Sequence, residues 1–256
     1  MNKVQENRNF MKCPSFIEGM AESDQQQGIP HPIHCHEAKG KFITLKPFNT
    51  SICVDDSYHH LLDIRRSLRV YDRDAAMTQE QLAFMLWSAQ GIQEYRGANN
   101  VSTLRPAPSG GARHPFELYI TVRNVEGLDM GIYRYVPTAH VGEKQVVIEL
   151  IGCMKNYEEQ IASMVAGQKW AAAAPVVLFL SCVPYRAEWR YKDLAHRVAL
   201  IDLGHVGQNI MLSAEAIGMG SCCMAAYDQK LCDEILGLDG KDEFTVYAVS
   251  VGYAKK

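Results

Sequence analysis

Apolar residues recur with the spacing of an amphipathic helix at several places along the chain. In the clearest case Leu82 and Leu86 fall on one face, Thr78 and Gln81 form a capping box ahead of them, and Gly91 is placed to end the helix. The same reading predicts helices over residues 57–68, 78–90, 155–166, 193–218 and 228–236.

Short apolar runs, several of them alternating with polar residues, indicate β-strands. They lie at residues 116–122, 131–136, 145–150, 175–181 and 244–251. Strands and helices follow one another without regular βαβ alternation, which favours an α+β fold over a doubly wound one.

The helix predicted over 193–218 is unusual in its small residues. Gly204, Gly207, Ala214, Ala216 and Gly218 are interspersed with large apolar side chains, so that another backbone can approach closely. Two interpretations stay open: a buried core helix in a monomer, or a helix that pairs with its own copy across a two-fold axis.

The first part of the chain differs in composition from the rest. It is polar and is interrupted by Gly28, Pro30 and Pro32, which predicts an N-terminal arm over residues 1–50 and a folded domain over 51–256. The arm contains the stretch HPIHCHE, but its spacing matches no standard zinc site, so we expect an exposed segment and no metal.

The chain has 256 residues, 47% hydrophobic and 21% charged, which suffices for the core of one domain or at most two. The formal net charge of −3 gives no reason to expect nucleic-acid or membrane binding. The eight cysteines include no C-x-x-C pair, which favours reduced thiols in the cytoplasm. With neither a signal-peptide pattern nor an apolar run of about 18 residues, a soluble cytoplasmic protein is expected.

Three segments could carry chemistry. In RRSLR, Arg65 and Arg69 are four residues apart, so a helical turn would place both guanidinium groups on one side, with Arg66 and Ser67 as further donors. Such a cluster suits a phosphate, although a charged run is also typical of a solvated surface.

The second segment is a turn, RPAPSGGAR, ahead of the strand at 116–122. Pro108, Gly110 and Gly111 allow the backbone to approach a flat or anionic ligand, with Ser109 and Arg113 as donors. The alternative is a loop whose glycines serve backbone geometry alone.

The third segment is GMGSCCMAAYD, in which Asp228 is placed to cap the following helix. Because adjacent cysteines rarely pair without strain and the surroundings are apolar, Cys222 and Cys223 are interpreted as buried packing residues.

In order along the chain, five stretches resemble the FMN-dependent nitroreductase superfamily, and within it the branch of the SagB-type azoline dehydrogenases. They are R-R-S-x-R (65–69), LWSAQGI (86–92), R-x-x-PSGGARHPFELY (105–119), GIYRY (131–135) and IDLGHVGQNIMLSAEAIGMG (201–220). The resemblance covers residues 57–253. It implies an α/β sandwich with a mixed, mainly antiparallel central sheet flanked by helices, in an intertwined homodimer that holds two FMN molecules at the interface.

The resemblance also assigns residues to FMN. The phosphate and ribityl end would meet Arg65, Arg66 and Ser67, and Arg69 would lie near flavin N1 and O2. The full set that it implies is Arg65, Arg66, Ser67, Arg69, Pro108, Ser109, Gly110, Arg113, Met224, Ala225, Ala226 and Lys255.

Two groups in that set have particular roles. The Pro-Ser turn would reach the flavin of the other subunit, so that Ser109 and Arg113 act in trans. The segment Met224–Ala226 would run along the flavin near N5 with a backbone N–H donor, where better-known members carry Glu-Gly. Lys255 or Lys256 would supply a cation near the phosphate.

The implied reaction is that of a flavoprotein oxidoreductase. NADH or NADPH passes hydride to flavin N5 and leaves, and a small organic acceptor replaces it on the same face in a ping-pong cycle. The cation of Arg69 would stabilise charge on N1 and O2 of the reduced flavin.

Members of the azoline branch use a lysine-tyrosine pair for proton removal. Here Tyr191 and Lys192 stand in the reverse order, with His196 nearby, which argues against a peptide azoline substrate. The three residues are candidates for proton transfer, or else plain surface residues. Alternatives are an azoline-type dehydrogenase acting on a modified peptide, or a flavin-binding or partner-binding module without turnover.

Overall fold

The structure, a computed structural model, describes residues 2–13 and 15–255. Its helices are α1 (Lys3–Phe10), α2 (Phe16–Gly19), α3 (Tyr58–Ile64), α4 (Gln79–Gln90), α5 (Tyr157–Met164), α6 (Tyr185–Tyr191), α7 (Ala195–Ala216) and α8 (Gln229–Leu236). Its strands are β1 (Lys41–Thr44), β2 (Glu94–Arg96), β3 (Ser102–Leu104), β4 (Phe116–Val122), β5 (Gly131–Tyr135), β6 (Val147–Gly152), β7 (Val176–Cys182), β8 (Gly220–Met224) and β9 (Phe244–Gly252).

One large sheet organises the molecule. Its strand order is β1-β6-β5-β4-β7-β9-β8, and each neighbouring pair is antiparallel. Within the described residues, parallel pairing is confined to isolated bridges such as Ser67 with Ser221. The predicted α+β class with a mainly antiparallel sheet flanked by helices is confirmed.

Helices cover both faces of the sheet because its central strands are apolar on both sides. Along β4, Leu118 and Ile120 join the core beneath α4 and α7, whereas Tyr119 joins the core beneath α5 and α8. All seven residues of β4 and of β7 are buried. An alternation of apolar and polar residues therefore does not distinguish a buried face from a solvent-exposed face along these strands.

Most predicted elements are present, and their ends follow the predicted signals. The capping box of Thr78 and Gln81 forms, Gly91 is the C-cap of α4, and Asp228 caps α8 by accepting a hydrogen bond from the N–H of Leu231. The short strands β1, β2, β3 and β8 have no counterpart in the sequence analysis.

Part of the predicted arm is built into the sheet. β1 pairs with β6 at the edge of the large sheet. Residues 31–45, here called the N-terminal clasp, cross the sheet face that α5 and α8 also cover. The Glu117 carboxylate accepts from the backbone N–H of His36 at 2.8 Å and from the Cys35 thiol at 3.3 Å. The division of the chain into an N-terminal arm (residues 1–50) and a folded domain (residues 51–256) stays a prediction.

Buried cations hold this region together. The Glu117 carboxylate forms ion pairs with Arg186 and Arg134, and all three side chains are buried. Burial alone would raise the pKa of the Glu117 carboxyl, but the two guanidinium groups outweigh it and the pKa is lowered. The clasp is therefore tied to the sheet by a charged network.

No helix in residues 2–13 and 15–255 has the length and apolar content needed to cross a lipid bilayer.

Candidate functional site

The Arg65–Arg69 segment is extended, so the prediction of a helical turn with two aligned arginines is wrong. α3 ends at Ile64, and Arg65 has φ −54° and ψ 121°. The reason is tertiary pairing: the N–H of Leu68 donates to the carbonyl of Ser221 at 2.9 Å, and the N–H of Lys255 donates to the carbonyl of Val70 at 3.1 Å. These strand-like hydrogen bonds replace the helical ones.

The three arginines of this segment are not neutralised. Arg65 is half-buried, Arg66 and Arg69 are exposed, and none forms an ion pair with any residue in the described ranges. The Arg66 guanidinium donates to the backbone carbonyls of Asp63 and Arg65 at 2.9 and 2.8 Å. An exposed group of cations without carboxylate partners favours an anion.

The carboxyl group of Glu215 lies beside the arginine segment. It accepts from the backbone N–H of Arg66 at 3.4 Å, and burial raises its pKa against the opposing effect of that hydrogen bond and of Arg65 and Arg66. Arg66 and Ser67 line a cavity of about 500 Å³ with the glycines at the end of α7.

β8 brings the third predicted segment, GMGSCCMAAYD, to the same place. A Cβ atom at Gly220 would lie 2.7 Å from Leu68 Cδ2, so the close approach of the arginine segment requires glycine there. Met224 is buried, whereas Ala225 and Ala226 are exposed. The Ala226 carbonyl accepts from Gln168 Nε2 at 3.0 Å.

Residues from the turn ahead of β7 complete this area. The Arg69 guanidinium carbon lies 5.9 Å from the centre of the half-buried Trp170 ring. Trp170 contacts Arg69, and Gln168 donates to the carbonyl of Ala226. The two residues therefore link the arginines to the segment after β8. We call the following set the arginine edge: Arg65, Arg66, Ser67, Arg69, Met224, Ala225, Ala226 and Lys255; Lys256 lies outside the described residues.

The glycine turn, residues 108–113, lies elsewhere and packs against its own chain. A Cβ atom at Gly110 would lie 2.4 Å from Val198 Cγ1, and one at Gly111 would lie 2.5 Å from Tyr191 Oη. Gly111 also has φ +58°. Both glycines are thus needed for contacts inside the subunit, whatever else the turn contacts.

Asp202 of α7 holds this turn. Its carboxylate accepts from Ser109 Oγ at 2.7 Å and from the N–H of Gly110, which is 3.0 Å from each oxygen. Burial raises the pKa of Asp202, while the hydrogen bonds from Ser109 and Gly110 act in the opposite direction.

Arg113 is turned into the chain and not toward a surface. It is buried, donates to the carbonyls of Arg186 and Val101 at 2.9 and 2.7 Å, and lies 4.7 Å from the Trp189 ring. Burial, and then Arg190, lower its pKa to about 10.

The three candidates for proton transfer lie near the glycine turn but do not converge on one point. The Tyr191 ring is buried, 5.5 Å from the ring of Phe16. Lys192 Nζ donates to the Ala21 carbonyl at 3.0 Å, and His196 Nε2 lies 2.8 Å from a Glu188 oxygen. Tyr191 is in contact distance of the turn, next to Gly110 and Gly111.

The glycine turn and the arginine edge lie toward opposite ends of α7. Asp202 marks the glycine turn and Glu215 marks the arginine edge. With a rise of 1.5 Å per residue, they are about 20 Å apart. Within one subunit the predicted FMN contacts therefore form two separate sets.

Two of the three histidines of the clasp bind backbone atoms, whereas His36 Nε2 lies 2.9 Å from a Glu243 oxygen. His31 Nε2 and His34 Nε2 lie 2.9 and 2.6 Å from the carbonyls of Asn99 and Asn100, and burial lowers the pKa of His34 to about 4. In the described part of the chain no three His, Cys, Asp or Glu side chains are grouped to hold a metal. Cys222 and Cys223 are free, and burial raises the pKa of Cys223 to about 11.

Sequence analysis did not single out Asp202, Gln168 or Trp170. Asp202 could have been found because it is an acid between Ile201 and Leu203, within the apolar stretch from Val198 to Leu203. Nothing in the sequence around Trp170 signals its position, which depends on the path of the chain between α5 and β7.

Comparison with known proteins identifies the family. The nitroreductase family profile matches residues 62–253. A Methanocaldococcus jannaschii protein named as a nitroreductase, MJ1384, is 30% identical over 188 residues, which is 73% of this chain and 86% of that protein.

Two further matches concern microcin B17. The microcin B17-processing protein McbC of Escherichia coli is 23% identical over 236 residues, covering 90% of this chain and 81% of that protein. The E. coli microcin synthetase McbBCD complex with truncated pro-MccB17 bound contains a chain with the same fold, with a TM-score of 0.59 and 16% identity over 99% of this chain and 92% of that one. The antiparallel sheet, its covering helices and the matched residues together show that the chain belongs to the nitroreductase family.

Proposed function

We propose that the protein is an FMN-dependent oxidoreductase that takes hydride from NADH or NADPH and passes it to a small organic acceptor. The observation that carries the proposal is the arginine edge, in which Arg65, Arg66 and Arg69 are accessible and have no carboxylate partner among the described residues. Guanidinium groups are suited to binding a phosphate.

The residues present fit FMN. A phosphate dianion would neutralise Arg65 and Arg66, with the exposed Ser67 as a further donor. A flat ring would extend from there along the exposed Ala225 and Ala226. Lys255 would add a cation beside the phosphate. Bound FMN would supply reversible two-electron chemistry, which the side chains of this protein do not provide.

We further propose that the active unit is a homodimer. The glycine turn lies about 20 Å along α7 from the arginine edge of the same subunit. A two-fold axis near α7 would bring Pro108, Ser109 and Gly110 of one subunit to the edge of the other. The exposed Leu200 and Ile201 and the open space at Gly204 give α7 a surface suited to such pairing.

In this proposal each group of residues has a separate task. Arg65, Arg66 and Ser67 retain the cofactor, and Arg69 places a positive charge where negative charge develops on reduction. The nicotinamide and the acceptor would bind one after the other at the same face. Tyr191, Lys192 and His196 remain candidates to supply or remove a proton, Tyr191 being the one next to the turn.

A modified peptide is a second candidate substrate. The match to McbC, a microcin B17-processing protein, extends over 90% of this chain and so includes the clasp as well as the catalytic domain. A partner protein would accompany such a reaction, on the ground that the similar chain in the McbBCD structure belongs to a complex. The reversed order of Tyr191 and Lys192 favours the small acceptor.

The test begins with the absorption spectrum of the purified protein. About one FMN per chain and bleaching by NADH or NADPH under anaerobic conditions are expected. A panel of quinones, nitroaromatics and azoline-containing peptides then separates the two substrate classes.

Arg66→Ala should lose FMN, whereas Arg96→Ala, which removes an exposed arginine paired with Glu94, should not. A protein that takes up FMN but is not reduced would be a binding module.

A further inference from the structure

Asp202 is a buried carboxylate that the proposed function does not use. Its side chain is 4% exposed and faces the glycine turn. It accepts hydrogen bonds from Ser109 Oγ and from the Gly110 N–H, and the neighbouring titratable group on its own helix is His205. A buried carboxylate needs such donors, so the arrangement is stable as it stands.

The hydrogen bonds of Ser109 determine what it can offer to a ligand. A hydroxyl has one proton and two lone pairs. The Ser109 proton lies on the 2.7 Å hydrogen bond to Asp202, and one lone pair accepts the N–H of His114 at 2.9 Å. One lone pair remains, and Ser109 is half-exposed.

Two donors of the turn are also committed. The Gly110 N–H points to Asp202, so neither it nor the Ser109 hydroxyl is available to donate outward. At the Ser109–Gly110 corner the Ser109 oxygen is therefore an acceptor, and these two groups do not serve as donors to an anion.

We propose that Asp202 is a positioning residue that makes the Ser109 hydroxyl a hydrogen-bond acceptor for the imide N–H of a flavin ring bound by the partner subunit. The inference rests on the proposed function, because it assumes that the turn reaches a bound flavin. The oxidised flavin ring has one N–H, at position 3, and an acceptor suits that group where a donor would not.

The variant Asp202→Asn tests this with little change in shape. The carboxamide can donate its N–H to Ser109 Oγ, which releases the serine proton to point outward. The polarity of the corner is then reversed while its packing is kept. Ser109→Ala removes the acceptor altogether and covers the case in which Asp202→Asn does not fold. Asp193→Asn, an exposed aspartate just before α7, is the charge-matched control.

The measurement is the dissociation constant of the apoprotein for FMN, for N3-methyl-FMN, which lacks the imide N–H, and for riboflavin. The wild type and Asp193→Asn should prefer FMN to N3-methyl-FMN by about tenfold or more, the worth of one hydrogen bond. In Asp202→Asn and Ser109→Ala that preference should fall to near one, through weaker binding of FMN. The ratio of riboflavin to FMN should stay at the wild-type value.

Several results would overturn the proposal. It fails if a folded Asp202→Asn protein keeps the wild-type preference for FMN over the methylated analogue, or if the wild type shows no preference. It also fails if Asp202→Asn changes the riboflavin ratio instead, because the corner would then face the phosphate. A wild-type protein that binds no flavin at all would refute the proposed function itself, and this inference with it.

Discussion

Arg69 differs from Arg65 and Arg66 in the chemistry expected around it. The phosphate charge does not change when the flavin is reduced, but charge develops near N1 and O2, where Arg69 is proposed to lie. A charge-assisted contact is worth about 1.5 to 3 kcal/mol, and 1.4 kcal/mol corresponds to about 30 mV for two electrons. Arg69→Ala should lower the flavin midpoint potential by some tens of millivolts.

Arg66→Ala serves as the comparison for Arg69→Ala. It should weaken FMN retention and leave the potential of the reconstituted protein close to the wild-type value. Both variants are measured by anaerobic redox titration with saturating FMN, so that lost cofactor is not mistaken for a changed potential. An unchanged potential in Arg69→Ala would show that this arginine does not lie near the pyrimidine edge.

Gly111 is constrained by both its backbone and its surroundings. Its φ is +58°, and an added Cβ would lie 2.5 Å from Tyr191 Oη. Gly167, with φ +83° and nothing within 4 Å, carries the backbone constraint alone. We expect Gly167→Ala to cost about 1 kcal/mol and Gly111→Ala about 1 to 3 kcal/mol more, measured by urea unfolding. Equal losses of unfolding free energy in the two variants would mean that the Tyr191 side chain moves away from the added methyl group at no cost.

At the scale of elements, α7 carries the prediction about assembly. Its outer face exposes Leu200 and Ile201, and a Cβ at Gly204 would meet nothing within 4 Å in the subunit. If two copies of α7 pair closely there, Gly204→Leu should raise the dimer dissociation constant at least about tenfold by separating the helices.

The control for Gly204→Leu is Gly152→Leu. Gly152 also has nothing within 4 Å of an added Cβ, but it ends β6 on another part of the molecule. Sedimentation velocity over a range of concentrations measures both variants. A dimer that is equally tight in Gly204→Leu and in the wild type would place the interface away from this helix face.

The long elements could be predicted because their signals are local. The capping box before α4, Asp228 before α8 and the apolar run of β4 each stand within a few residues of sequence. β8 could not be predicted, because Gly220 and Ser221 resemble a turn and become a strand through pairing with β9. The residues of the arginine edge lie together in the structure, and their role as FMN contacts stays a prediction. The helical turn predicted for Arg65 and Arg69 was wrong, because the segment pairs with Ser221, which lies 154 positions beyond Ser67.

At the scale of the molecule, the buried network at Glu117 predicts acid sensitivity. The pKa of Glu117 is lowered in the folded state, so its contribution to stability is complete above about pH 4.5 and is lost as the pH falls through the lowered value. Unfolding free energy should therefore decrease with falling pH below about 4.5.

Glu117→Gln tests the same network at neutral pH. Removing this carboxylate leaves Arg186 buried without its ion pair, whereas Arg134 keeps its pair with Glu149. An uncompensated buried charge costs about 3 to 5 kcal/mol. We expect the clasp to become susceptible to limited proteolysis in this variant. Glu94→Gln, which breaks an exposed pair with Arg96, should leave both stability and proteolysis near the wild-type values. A clasp that stays protected in Glu117→Gln would show that its other contacts, among them β1 and the hydrogen bond of Lys39 to Glu149, secure it.

The position of the clasp also affects how the protein is made. Cys35 contacts Glu117, 82 residues later, and Lys39 contacts Glu149, 110 residues later. At 5 to 20 residues per second, a ribosome needs about 4 to 22 s to produce these partners after the clasp has been translated. During that interval the clasp has no sheet to join, and β6, once made, has a free edge until β1 pairs with it. The segment that is synthesised early therefore waits for its partners, and an edge of β6 that β1 has not yet covered leaves nascent chains open to pairing with one another.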